Sequence, residues 1–109
     1  EYLPAPSTGA ADRAFVNIGI CRLKIHIPES RSLKDKRSTV KSLISRLQKQ
    51  FNISIAEVDD HDLWQIATIG IACVSNHNHR VDEVIDSAIA LINRDYPTVE
   101  IIEKEIETY

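Results

Sequence analysis

The residues that could do chemistry fall in four places. The stretch "AEVDDHDLWQ", residues 56–65, gathers four carboxylates, Glu57, Asp59, Asp60 and Asp62, around His61. Converging carboxylate oxygens can hold a divalent cation, and a pair of carboxylates or a poised imidazole can serve a hydrolase. Tight turns favour Asp for another reason, because its side chain bonds the local backbone. The stronger expectation is therefore that Asp59 and Asp62 order a hairpin. Trp64 is expected to pack, with its indole N–H bonded to a partner. "SNHNHR" sets His77 and His79 two residues apart, a spacing that suits neither helix-face chelation nor a zinc pattern. Asn76 or Asn78 there reads as a helix cap. Cys21 and Cys73 lie in apolar, strand-like runs with no CxxC spacing, so both are expected to be buried, reduced thiols. None of this calls for a metal or a cofactor, and no residue is assigned a catalytic role.

The fourth place is "RSLKDKRSTVKSL", residues 31–43, which carries Arg31, Lys34, Lys36, Arg37 and Lys41. The chain as a whole has a net charge of −3. Residues 22–50 hold nine Lys or Arg and two acids, whereas residues 51–109 hold three and twelve. Clustered cations bind phosphates and release counterions as they do so. Arg31, Lys34, Lys36, Arg37 and Lys41, extended by Arg22 and Lys24, are thus the candidate nucleic-acid-binding residues. The plainer alternative is a solvated helix face, or ion pairs with the acidic half of the chain.

These residues need a scaffold. Residues 1–14 are rich in Pro, Ala, Ser and Gly and read as an extension or cloning remnant, which leaves 15–109 as a single domain. The N-terminus lacks a basic region followed by an apolar one, so no signal peptide is expected. "FVNIGICRLKIHIP" alternates like a strand and stops at Pro28. A helix follows near 33–50, with Ser32 as N-cap, Asp35 completing a capping-box variant, and Leu33, Val40, Leu43, Ile44 and Leu47 on one apolar arc. Lys34, Arg37 and Lys41, at i, i+3 and i+7, form a row expected to be exposed. Two strands, 53–58 and 64–75, flank the acidic turn. A second helix near 79–94 and a last strand, "TVEIIEKEIETY", close the chain. The order β-α-β-β-α-β predicts an α+β ferredoxin-like two-layer sandwich, with two helices covering one face of an antiparallel sheet. Its uncovered face takes Arg22, Lys24 and His26 from the first strand. From the third strand it takes either Trp64, Ile66 and Val74 or Ile69, Ile71 and Cys73. Either set exposes apolar area, and a homo-oligomer, most simply a dimer, would cover it.

"IHIPESRSLKDKRSTVKSL", "AEVDDHDLWQIATIGIACVSN" and "VDEVIDSAIALI" together resemble the YlxP-like family of small bacterial proteins, over about Val16 to Ile106. The resemblance implies a ferredoxin-like fold and a cytoplasmic bacterial protein. Genes of that family often lie among those for translation initiation and ribosome maturation. It brings no established catalytic residues. Three functions stay open: an RNA- or ribosome-associated accessory factor, a homo-oligomeric interaction module using the open sheet, and an enzyme or metal site at the acidic hairpin.

Overall fold

Strict alternation over ten residues makes a strand of Asn17–His26 (β1), with Cys21, Leu23 and Ile25 fully buried on one side. The computed structural model describes residues 16–109; the extension read at residues 1–14 lies outside them. Ser32 caps the first helix, Leu33–Gln50 (α1), its hydroxyl oxygen accepting the Asp35 amide at 3.0 Å. The Asp35 carboxylate in turn accepts the amide of Arg31 at 3.0 Å. Strands Ser54–Asp59 (β2) and Ile66–Ser75 (β3) enclose the acidic turn. The third strand thus starts two residues later than expected and leaves Trp64 and Gln65 in the turn. Helix Asn78–Asp95 (α2) and strand Glu100–Thr108 (β4) follow. Helix α2 is entered through His77, which makes no side-chain cap bond. The expected cap at Asn76 or Asn78 is therefore corrected: both lie off the cap position.

The strands form one antiparallel sheet in the order β2-β3-β1-β4, the ferredoxin-like arrangement. Directly opposed residues share a face. Leu23 opposite Ile69 and Cys21 opposite Ile71 therefore point with Ala67 and Cys73 toward the helices, where Leu43, Leu47, Ile85 and Ile92 complete the core. This resolves the two alternatives for the third strand: Ile69, Ile71 and Cys73 are core, and Ile66 and Val74 face out. Cys21 and Cys73 are free, buried thiols, and burial pushes the Cys21 thiol up to about 11.

Gly19 lies on the covered face, where α2 comes closest to the sheet. A Cβ built there would stand 1.9 Å from Val81 Cγ1. Gly19→Ala should therefore destabilise the fold by about 1–3 kcal/mol or more through overpacking, and Val81→Ala in the same chain should return part of the loss. Urea unfolding of the three variants checks this; a Gly19→Ala midpoint equal to the parent's would contradict the close approach.

Candidate functional site: a basic helix face and the turn it holds

The structure divides the expected basic set into three groups. Arg31, Lys34, Arg37 and Lys41 are exposed on or just before α1. Among the described residues, none of these four makes an ion pair. Lys34, Arg37 and Lys41 recur at helical spacing within about 60° of one another on the 100° step of an α-helix, away from Val40, Leu43 and Leu47.

Lys36 is the correction. The sequence places it with the surface cations, yet its side chain has 0% exposure. Its ammonium donates to three backbone carbonyls, Asp60 O at 2.7 Å, Ile66 O at 3.0 Å and His61 O at 3.1 Å. An ammonium has three N–H groups, and the three carbonyls take them all. Glu57 Oε2, at 3.1 Å from Nζ, is therefore the counter-charge of the cage and receives no N–H of its own. On the helical wheel Lys36 falls about 20° from both Leu43 and Leu47. That position in the apolar arc was the signal in the sequence, and the run of neighbouring cations obscured it.

Arg22 and Lys24 form the third group and are also corrected. Both face out from β1, but carboxylates hold them. Arg22 reaches Glu105 at 3.5 Å, Asp59 at 3.8 Å and Glu103 at 3.9 Å, and Lys24 reaches Asp60 at 3.7 Å. Two cations meet four carboxylates, so this part of the open sheet presents no positive patch. The acidic turn is explained by the same pairs. Glu57 faces Lys36, Asp59 faces Arg22, and Asp60 accepts the Thr68 hydroxyl at 2.6 Å while facing Lys24. The bond from Thr68 and the nearby cations hold the Asp60 carboxyl below its ordinary range. Glu57 thus turns away from Asp59 and Asp60, which share the open-sheet side with Arg22 and Lys24. Among the described residues no three His, Cys, Asp or Glu side chains come together as a metal site. His77 and His79 face each other as rings, with centroids 5.4 Å apart.

Trp64 is a further correction. It was expected to pack, yet it is 58% exposed, and no hydrogen bond of its indole N–H is found among the described residues. Its turn is nevertheless tightly held. Besides the Lys36 bonds, the Gln65 carboxamide donates to Ser30 O at 2.9 Å and Pro28 O at 3.2 Å, and Ile27 N donates to Gln65 O at 2.7 Å. Asp60 turns the chain with φ of 61°, in the left-handed region that Asp tolerates.

These features define a small ferredoxin-like domain with one exposed basic helix row and no converging catalytic groups among the described residues. The chain belongs to the family described as "Protein of unknown function (DUF503)", whose model matches residues 18–106. It is 34% identical over 83 residues to the "Uncharacterized protein YlxP" of Bacillus subtilis (strain 168), covering 76% of this chain and 89% of that one. Among solved structures it is similar to "De novo designed protein Foldit4", with a TM-score of 0.51 at 8% identity, over 86% of this chain and 96% of that one. At that identity the likeness concerns the fold alone. No helix among the described residues is long and apolar enough to cross a membrane.

Two predictions follow from the ion pairs. Lys36→Met leaves Glu57 and three carbonyls without their cation, and losing one partner of a buried pair costs about 3–5 kcal/mol. Adding Glu57→Leu should restore only part of this, because the three carbonyls still lack the charged donor that they share. Guanidinium unfolding of the single and double variants reads it, and a Lys36→Met protein as stable as the parent would refute the cage. The second concerns His26, whose Nδ1 lies 2.6 Å from Glu100 Oε1. That hydrogen bond holds the imidazole pKa above its ordinary 6.5. A raised folded-state value stabilises the fold fully below pH 6.5, and the contribution is lost as pH rises through the folded value. Glu100→Gln should flatten the stability profile from pH 6.5 upward; an unchanged profile would remove His26 as its source.

Proposed function

We propose that this protein is a non-enzymatic RNA-associated accessory factor of the bacterial cytoplasm that grips phosphates with the outer face of α1. The single observation carrying this reading is that the side chains of Arg31, Lys34, Arg37 and Lys41 are exposed without an ion pair among the described residues, whereas Arg22 and Lys24 on the open sheet are paired. A row of unpaired cations repels itself, and a line of phosphates relieves the repulsion while releasing counterions. Asp35 lies among them in sequence, but its carboxylate accepts the Arg31 amide. The gene neighbourhood implied by the family resemblance points to the ribosome as the source of that RNA. Replacing Lys34, Arg37 and Lys41 together by Ala should weaken RNA binding and reduce the dependence of log K on log salt by about 0.7–0.9 for each lost phosphate contact. Filter binding over a salt series tests this, with circular dichroism checking the fold; an unchanged slope would sink the reading.

A second reading rests on a different face. Ile18, Ile20, Val58 and Val74 stand exposed on the uncovered side of the sheet, and a second copy of the chain would cover them. Light scattering at high protein concentration tests it, and a monomer throughout would dismiss it.

A further inference from the structure

From the geometry of the 60–65 turn we infer that Trp64 is a stacking platform for an unpaired base of single-stranded RNA whose phosphates lie along Arg31, Lys34 and Arg37. This rests on the phosphate-gripping reading above and adds to it the strandedness of the ligand and the residue that senses it.

Three observations converge. Trp64 is a large ring left 58% exposed, which forgoes the burial such a side chain ordinarily gains. The turn that carries it is immobilised from both sides. Lys36 grips the carbonyls of Asp60 and His61 before it, and Gln65 ties to Pro28 and Ser30 after it. A ring on a turn held in this way loses little freedom on binding, which is the condition under which an exposed aromatic contributes most to recognition. Finally, the same bonds fix where the turn lies. Gln65 is bonded to Ser30, the residue before Arg31. The turn that carries Trp64 is thus anchored beside the N-terminal end of α1, where Arg31 begins the basic stretch. An aromatic ring beside cations that follow a backbone is the composition of single-strand sites, because every base has a face to stack and every nucleotide a phosphate to pair.

The acids of the turn are compatible with this. Asp59 and Asp60 are drawn to Arg22 and Lys24 on the open sheet. Asp62, exposed and without an ion pair among the described residues, is the carboxylate still free to oppose a phosphate.

Trp64 is the one tryptophan of the chain, so its emission reports this site alone. A short oligoadenylate should quench it, whereas an RNA duplex of equal length should not. Measured by anisotropy of an end-labelled strand, Trp64→Ala should lose at least about fivefold in affinity for oligoadenylate and nothing for duplex. Trp64→Phe should keep part of the difference, and Asp62→Asn should tighten both ligands. Oligoadenylate binding with unchanged emission, and with Trp64→Ala as tight as the parent, would overturn the stacking role and leave the phosphate row standing. No binding of either RNA would overturn both. Emission that shifts to the blue with protein concentration alone would assign Trp64 to contact with a second copy, and that too would overturn it.

Discussion

A single ammonium group inside the protein links the pieces that matter here. Lys36 belongs to α1 by sequence, but its Nζ lies within 3.1 Å of three carbonyls from the 60–66 segment and of the β2 carboxylate of Glu57. A desolvated cation is tolerated only when its donors are used and its charge is balanced. Lys36 meets both conditions, and in doing so it leaves the turn no other arrangement. The Asp60 carbonyl also accepts the Leu63 amide at 3.1 Å, whereas the His61 carbonyl, in a tight turn outside the sheet ladder, would otherwise need water or a cap. The lysine acts as that cap. Helix α1, the hairpin and the first residues of β3 are thereby one mechanical unit.

The carboxylates beside this cage then sort themselves by side. Glu57 turns inward to the helix layer, while Asp59 and Asp60 turn to the open sheet, where Arg22 and Lys24 receive them. The shift in strand register between Glu57 and Asp59 makes this division possible, since regular alternation would return Asp59 to the side of Glu57. One irregularity therefore separates a buried counter-ion from two surface ones. The charge on the two sides of the molecule follows from it. On the sheet side Asp59, Asp60, Glu103 and Glu105 hold Arg22 and Lys24, and the outer side of α1 keeps Lys34, Arg37 and Lys41, which hold no carboxylate among the described residues.

Periodicity made the architecture legible. The ten-residue alternation of β1, the apolar arc of α1 and the order of elements all led to the ferredoxin-like sandwich, and Ser32 was readable as a cap from its distance to Asp35. What resisted reading was charge. A lysine among lysines looks like surface, and only its angle between Leu43 and Leu47 distinguished Lys36. Arg22 and Lys24 looked free because their partners lie 35 or more positions away in sequence, and strand register alone brings β2 and β4 to either side of them. Trp64 was misread for the opposite reason. A tryptophan is assigned to packing by its area, and no local pattern marks a ring that the fold turns outward.

The same cage explains why an exposed Trp64 is tolerated. An aromatic on a loose loop would collapse onto nearby apolar surface, and the exposed Val58 on the open sheet offers some. Shifting the backbone of the turn toward it would require leaving Lys36, stranding a buried charge, and releasing the bonds from Gln65 to Pro28 and Ser30. The cost of unpairing Lys36, several kcal/mol, exceeds the roughly 1.5–3 kcal/mol that burying one large apolar side chain returns. The backbone from which the exposed ring projects is therefore held in place by the buried ammonium.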